Sequence, residues 1–210
     1  FKMNVMFEKN FKIYNFHNLY KELLNFCTVD LSAFYFDIRK DSLYCDKIDS
    51  PKRKSTIIFL NILLEILLKW FAPILSFTTE EIYSLLKINS NKSIHLENFP
   101  KIPSKWNDQN LEAKWNELIK IREICNSSIE LKRAEKEIGS SLEANLTINL
   151  NEKMIKFTSG IDFSELCITS AARIEKIKSE EIVVKTIKAE GQKCPVCWKI
   201  SKNQCEKHSV

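Results

Sequence analysis

The segment from Ile13 to Cys45 constrains the fold most strongly, because its apolar residues recur at helical spacing. They follow in steps of three and four: Ile13, Phe16, Tyr20, Leu23, Leu24, Cys27, Leu31, Phe34, Tyr35 and Ile38. This spacing places them on one face of an α-helix. Asp30 interrupts the pattern and is suited to cap a second helix, so we predict two helices that meet at Thr28–Asp30. A face this aromatic requires other helices to cover it.

A second helix is predicted from Ser50-Pro51, since proline is favoured at the first helical position. The run that follows, ILLEILLKWFA, is apolar nearly all round, which predicts a central buried helix ended by Pro73. Its apolar core, Thr56–Leu68, is too short to span a bilayer, so no membrane partner is expected. A capping box at Thr78-Thr-Glu-Glu81 is predicted to open a shorter helix.

A third long helix is predicted over Leu111–Ile138, with Gly139 as its C-terminal cap. We therefore expect residues 1–138 to form one helical bundle. Its predicted buried residues are Phe16, Phe34, Ile62, Leu67 and Trp70. The other face of the third helix is basic and carries Arg133 and Lys136.

After Gly139 the apolar period changes from 3.6 to 2, as Ala144, Leu146, Ile148 and Leu150 alternate with polar residues. Such alternation predicts a half-buried strand. Further strands are expected at 155–157, 166–168 and 182–187. Residues 139–190 are thus predicted to form a small α/β domain.

The C-terminal residues 191–210 carry the spacing Cys194-x2-Cys197-x7-Cys205-x2-His208. Three thiolates and an imidazole suit tetrahedral zinc, and each of the two short pairs can supply two ligands to the same ion. Four protein ligands leave no position for water, so the predicted site is structural, which excludes a zinc enzyme. A frayed tail with free thiols is the alternative.

Bulk composition narrows the functional classes. The net charge of +5 is compatible with a phosphate-backbone partner without requiring one. Seven cysteines, an odd number, favour a reducing cytoplasm. Only three glycines occur, so no glycine-rich loop is available for nucleotide phosphates.

The chain starts at Phe1 within an apparent helix, and we expect it to be a fragment of a longer protein. No nucleophile or acid–base pair can be argued from the residues.

Two groups of residues are candidates for nucleic-acid binding. Lys52, Arg53 and Lys54 crowd a first helical turn, where the helix dipole disfavours cations; a nearby phosphate would account for them, and so would a solvated basic turn. Trp198, flanked by Lys193 and Lys199, could stack on a base or could pack the knuckle onto the bundle.

Several separated motifs carry a family resemblance. Asn25–Cys45, Trp70–Tyr83 and Ile94–Pro100 together resemble the anticodon-binding domain of class I aminoacyl-tRNA synthetases. Within that class, the stretch from Arg133 through Lys136 to Ala144 and the ending Lys193–Trp198 resemble the bacterial-type isoleucyl enzymes. The resemblance covers essentially the whole chain.

The resemblance implies a mainly α protein: a helical bundle that receives the anticodon arm of tRNA(Ile), a small α/β junction domain and a C-terminal zinc knuckle. It also implies that the catalytic and editing domains are absent, since neither the His-Ile-Gly-His nor the Lys-Met-Ser-Lys-Ser signature occurs. ATP and magnesium would then bind only in the missing catalytic domain. The fragment alone should be an inactive, cytoplasmic monomer. The rival interpretation is a helical protein-interaction module with a structural zinc tail.

Two positions depart from the family pattern. Val196 stands between the first two cysteines, where the family commonly has a basic residue, so a basic side chain that could bind phosphate is missing there. The last ligand pair, usually two cysteines after a longer loop, is the compact Cys205-Glu-Lys-His208.

Overall fold

The structure, a computed structural model, describes residues 1–86, 92–205, 207 and 208. These residues form two compact units. The first contains Phe1–Leu43 and Lys47–Asp108; the second contains Tyr44–Asp46 and the chain from Gln109 onward. Among the described residues, no helix is both long and apolar enough to cross a membrane.

The first unit is helical. Its main helices are α1 (Lys2–Lys12), α2 (Phe16–Asn25), α3 (Asp37–Tyr44), α4 (Pro51–Phe71) and α5 (Ser76–Leu85). Only the last residue of α3, Tyr44, is assigned to the second unit. Short 3-10 turns lie at Ile94–Leu96 and Ser104–Trp106. No strand lies between Ile13 and Leu86, all of which the structure describes, so the predicted helical character of this stretch is confirmed.

The predicted break at Thr28–Asp30 is wrong. Residues Phe26–Phe36 form a π-helix that joins α2 to α3 without interruption. The Thr28 hydroxyl donates to the Leu24 carbonyl oxygen at 2.9 Å, inside the helical ladder. Asp30 therefore caps no helix, because a continuous helix keeps paired the backbone groups that a break would expose.

The core of the first unit is built around Phe7, Leu19, Leu23 and Trp70. The Trp70 indole packs against Phe7 and its Nε1 donates to Asn4 Oδ1 at 3.1 Å, so its polar group is satisfied where it is buried. Trp70 is buried as predicted.

The other predicted core residues are more accessible. Phe34 and Leu67 are half-buried, while Phe16 and Ile62 remain 37% and 39% exposed. For Ile62 the reason is that α4 is only partly covered: its Ile57, Ile58 and Phe59 are also exposed. A helix that is apolar nearly all round is not covered on all sides within this chain.

The predicted start of α4 is confirmed, whereas the predicted start of α5 is wrong. Helix α4 begins at Pro51 with Ser50 as its N-cap, as predicted. The predicted capping box is wrong, because α5 already begins at Ser76 and places Thr78 and Glu81 inside the helix. Glu80 instead uses its carboxylate to accept hydrogen bonds from the Ser93 hydroxyl and the Ile94 amide, at 2.8 and 2.9 Å.

The second unit combines one long helix with a three-stranded sheet. Helix α6 spans Gln109–Ala134. The sheet contains β1 (Ala144–Leu150), β2 (Ala171–Lys176) and β3 (Val183–Lys188), with β1 in the centre, parallel to β2 and antiparallel to β3. Helices α7 (Glu152–Thr158) and α8 (Phe163–Leu166) connect β1 to β2. The hairpin β4 (Gln192–Lys193) and β5 (Ile200–Ser201) follows.

The α/β character expected after residue 139 is confirmed, but two predicted strands are wrong. Residues 155–157 lie in α7, whose first turn is capped by the Asn151 side chain. Of residues 166–168, Leu166 ends α8 and the other two form the turn that follows. These two apolar segments are too short to show a period, so their pattern does not distinguish a strand from a helix. The strand β2 at Ala171–Lys176 was not predicted.

Helix α6 ends earlier than predicted and without Gly139. Lys136 takes the left-handed conformation, with φ of 61°, and the Glu137 amide donates to the Lys132 carbonyl oxygen at 3.1 Å. This is a Schellman-type end with lysine in the position that glycine usually occupies. Helix α6 packs with the sheet of the second unit, where the Ser128 and Thr186 hydroxyl oxygens lie 2.7 Å apart. The division into 1–138, 139–190 and 191–210 stays a prediction.

Candidate metal centre and nucleic-acid interface

The C-terminal hairpin shapes a tight loop between β4 and β5. The Cys194 amide donates to the Lys199 carbonyl oxygen at 2.9 Å, and the Trp198 amide donates to the Cys194 carbonyl oxygen at 3.0 Å. Trp198 has a φ of 63°, an uncommon conformation for a bulky side chain. These constraints turn the thiols of Cys194 and Cys197 toward the same side.

The four predicted metal ligands are brought together. Their ligand atoms all lie within 4.8 Å of one another. The separations are 3.7 Å between Cys197 Sγ and Cys205 Sγ, 3.5 Å between Cys194 Sγ and His208 Nδ1, and 3.4 Å between Cys205 Sγ and His208 Nδ1. Zinc–sulfur bonds of about 2.3 Å and zinc–nitrogen bonds of about 2.0 Å give tetrahedral edges of roughly 3.5–3.8 Å. Three of the separations therefore match the edges of a tetrahedral metal site, and all four ligand atoms lie within 4.8 Å of one another.

The orientation of His208 is set by a residue that sequence reasoning missed. His208 Nε2 lies 2.7 Å from the main-chain oxygen of Cys45. A carbonyl oxygen can only accept, so Nε2 carries the proton and Nδ1 faces the thiols. Cys45 belongs to the same compact unit as the knuckle. No signal in the sequence connects two residues 163 positions apart.

The thiols of Cys194 and Cys197 differ in pKa. The backbone amide of Cys197 lowers the pKa of Cys194 to about 6. Burial raises the pKa of Cys197 to about 12. The hydrogen bond to the Cys45 carbonyl raises the pKa of His208. At neutral pH, Cys194 is thus ready to bind a cation, whereas Cys197 must first lose a proton.

Two serines connect the knuckle to the α/β part of the second unit. The Lys199 ammonium donates to Ser164 Oγ at 3.1 Å, and the Ile200 amide donates to Ser170 Oγ at 2.6 Å. Asp162 caps the N-terminus of α8 by accepting from the Ser164 amide. Neither serine was predicted, since single serines carry no distinguishing sequence pattern.

The predicted nucleic-acid-binding residues of the second unit lie in two places. Trp198 is 59% exposed, and the Lys193 ammonium lies 5.2 Å from the centroid of its ring. Arg133 and Lys136 line a shallow depression at the C-terminal end of α6. The Arg133 guanidinium is paired there with Glu130 at 2.8 Å.

The predicted basic turn belongs to the first unit. Lys52 and Lys54 are exposed, and Arg53 is half-buried. All three lie in the first turn of α4, as predicted.

A comparison with protein families decides the affiliation. Residues 3–148 match the family described as "Anticodon-binding domain of tRNA ligase". The chain belongs to this family. The match spans the helical first unit, α6 and most of β1.

Relatives of this anticodon-binding chain extend the similarity to its C-terminus. It is 63% identical over 209 residues to an isoleucine–tRNA ligase of Pelagibacter ubique, with 100% of the chain and 23% of that protein covered. It is 40% identical to the isoleucine–tRNA ligases of Agrobacterium fabrum and Bradyrhizobium diazoefficiens, with 90% of the chain and 20% of each protein covered. The chain thus spans less than a quarter of the length of these relatives.

Proposed function

We propose that this chain is the tRNA-binding region of an isoleucine–tRNA ligase. The observation that carries the proposal is the 63% identity to a protein of that name over the whole chain, together with the family match over residues 3–148. In the complete enzyme, a catalytic domain outside this chain would attach isoleucine to tRNA(Ile) with ATP and magnesium. This region alone is expected to be inactive, monomeric and cytoplasmic.

The mechanism we propose is positioning. RNA loops present unstacked bases, which proteins recognise by aromatic stacking and by hydrogen bonds to base edges. The exposed Trp198 offers an indole face to such a base, and Lys193 beside it offers a cation. Lys199 is the least available of the knuckle residues, because its ammonium donates to Ser164. The basic residues that would bind phosphates elsewhere are Lys52, Arg53, Lys54, Arg133 and Lys136.

We also propose that Cys194, Cys197, Cys205 and His208 hold one structural zinc ion. The 3.4–3.7 Å separations between their ligand atoms support this ion. When bound, zinc would cross-link the two ends of the knuckle, which contributes few buried apolar residues of its own. Four protein ligands leave no site for water, so the ion would have no catalytic role.

Elemental analysis tests the metal assignment. One zinc per chain is expected in the purified protein, and Cys197→Ser should lose it. Cys27→Ser is the matched control, because Cys27 lies in the first unit, outside the cluster. A protein that contains no zinc, or a Cys197→Ser variant that retains it fully, would overturn the assignment.

The rival function, a helical protein-interaction module with a structural zinc tail, is favoured by one observation. The exposed residues Ile57, Ile58, Phe59 and Ile62 give α4 an uncovered apolar side. A filter-binding titration with tRNA(Ile) at increasing salt separates the two. Binding through phosphates makes affinity fall steeply with salt, whereas apolar docking does not. Absence of tRNA binding at low salt would reject our proposal in favour of the rival.

A further inference from the structure

The segment Cys45–Asp46 packs against the knuckle within the second unit. The Cys45 main-chain oxygen accepts from His208 Nε2 at 2.7 Å, and the Cys45 thiol lies 3.7 Å from the Val196 carbonyl oxygen. The Asp46 carboxylate pairs with the Lys207 ammonium at 2.9 Å. The segment therefore reaches both halves of the ligand set, since Val196 precedes Cys197 and Lys207 precedes His208.

The hydrogen bond to His208 determines which nitrogen of that ring can bind a metal ion. A neutral imidazole has one N–H donor and one free lone pair. Because the Cys45 oxygen accepts a hydrogen bond from Nε2–H, the lone pair is on Nδ1, 3.4 Å from Cys205 Sγ and 3.5 Å from Cys194 Sγ. Partners of this kind fix the tautomer and the ring orientation of metal-binding histidines.

The ion pair anchors the residue next to His208. Lys207 lies in the two-residue segment between Cys205 and His208. The Asp46 side chain is 10% exposed and the Lys207 side chain 43% exposed, so solvent screens their attraction only in part. Lys207 is adjacent to His208 in sequence, and this pair therefore restricts where the ligand can lie.

We propose that Cys45 and Asp46 are positioning residues of the metal centre: the main-chain oxygen of Cys45 fixes the tautomer of His208, and Asp46 anchors the ligand through Lys207. This inference rests on the proposed zinc site. The compact Cys205-x2-His208 pair is then supported by a segment far earlier in the chain.

A charge-reversal cycle tests the ion pair. Asp46→Lys and Lys207→Asp should each weaken zinc binding by about 10- to 100-fold, the effect typical of lost ligand support. The double variant Asp46→Lys/Lys207→Asp restores opposite charges and should recover most of the affinity. Asp49→Lys is the matched control, because Asp49 is exposed and belongs to the first unit. Affinity is measured on the intact chain by competition with a chromophoric chelator.

Two further measurements distinguish positioning from general stability. In the cobalt(II)-loaded protein, the d–d absorption bands of Asp46→Lys should shift, whereas those of Asp49→Lys should match wild type. In the wild-type chain, zinc should slow alkylation of the Cys45 thiol, which is not a ligand, and chelation should accelerate it. Alkylation of Cys27 should not change, since Cys27 lies in the first unit.

The outcomes separate the two proposals. A wild-type chain that binds no zinc overturns the zinc site and the positioning role together. A wild-type chain with one zinc, combined with Asp46→Lys equal to Asp49→Lys in affinity and spectrum, overturns only the positioning role. Unchanged Cys45 alkylation on chelation likewise contradicts the positioning role, and this test needs no variant to fold.

Discussion

The Lys193 ammonium lies 5.2 Å from the centre of the Trp198 ring, which places a cation against an indole that is otherwise largely exposed. Such a cation–π interaction orders both side chains at a modest gain in free energy. The indole also stands at a left-handed backbone position, which costs about 1–2 kcal/mol. An exposed aromatic residue held at this cost, with a lysine beside it, favours a role in binding over a role in packing.

Replacing Trp198 with alanine should weaken binding of tRNA(Ile) and leave the zinc content unchanged. Stacking of one base on an aromatic side chain contributes about 1–3 kcal/mol, which corresponds to roughly a 5- to 150-fold loss of affinity. Filter binding measures the affinity and elemental analysis measures the zinc. The matched control is Trp106→Ala, since Trp106 is also an exposed tryptophan but lies in the first unit.

Two outcomes would contradict the stacking of a base on Trp198. If Trp198→Ala binds tRNA as well as wild type but loses zinc or thermal stability, the indole serves the knuckle alone. If Trp106→Ala weakens binding equally, the loss reflects general damage and the stacking assignment is wrong.

Zinc binding should release protons at pH 7, because a metal ion binds thiolates and competes with protons for them. The pKa of Cys197 is raised to about 12 by burial, so this thiol is protonated at pH 7. The pKa of Cys194 is lowered to about 6, chiefly by the Cys197 amide, so Cys194 is mostly a thiolate already. Zinc affinity should therefore rise with pH, by roughly tenfold per pH unit for each proton released.

Calorimetric titration with zinc in two buffers of different ionisation enthalpy measures that release. At least one proton per zinc is expected at pH 7. The raised pKa of His208, caused first by its hydrogen bond to the Cys45 carbonyl, adds a second proton as the pH is lowered toward that pKa. An affinity independent of pH between about 6 and 8 would mean that the thiols bind no metal ion.

The sequence predicted those parts of the site that are encoded locally. The four proposed metal ligands lie in two short pairs, and their spacing alone predicted that they would cluster. The start of α4 at Ser50-Pro51 and the alternation that forms β1 are local signals of the same kind. Partners across long sequence separation could not be predicted in this way. The carbonyl oxygen of Cys45 is a main-chain atom, which any residue would supply.

The fold errors have a related origin. Thr78 and Glu81 have the spacing of a capping box, yet α5 begins before them. The spacing therefore occurs inside a helix, where it caps nothing. The apolar triplets at 155–157 and 166–168 are too short to reveal a period. In α4, the exposed Ile62 shows that an apolar residue in a helix need not be buried within one chain.

Gly191 should be required for the knuckle, because it begins the hairpin with a φ of +126°. A Cβ at this position would overlap the main-chain oxygen of Ser201, in the opposing strand β5. Gly191→Ala should therefore separate β4 from β5 and lower both zinc affinity and the free energy of unfolding. The loss should exceed the cost of about 1–2 kcal/mol expected for a positive φ alone.

Gly160 provides the matched control for that substitution. It also has a positive φ, of +76°, but among the described residues, its two chain neighbours apart, no atom lies within 4 Å of the position that an alanine methyl group would occupy. Gly160→Ala therefore tests the backbone conformation without a clash. Chemical denaturation and zinc titration are compared for the two variants. Equal losses, or full zinc binding by Gly191→Ala, would show that the close approach to Ser201 is not needed for the site.

The basic first turn of α4 is the remaining candidate for phosphate binding. Cations at a helix N-terminus oppose the helix dipole, at a cost of up to about 1 kcal/mol each at an exposed site. Lys52 and Lys54 are exposed there, and Arg53 stands between them half-buried. A bound phosphate backbone would offset this cost, whereas a purely solvated turn would gain nothing from it.

The triple variant K52Q/R53Q/K54Q should therefore bind tRNA(Ile) more weakly and with a flatter dependence of log K on log[salt]. The slope should change by nearly one unit for each phosphate that the basic turn neutralises in the wild-type complex. The control triple K2Q/K9Q/K12Q removes the same charge from α1, in the same unit. If both triples change the salt slope equally, net charge is responsible and the turn binds no particular phosphate. If the first triple leaves the slope unchanged, Lys52, Arg53 and Lys54 form only a solvated surface.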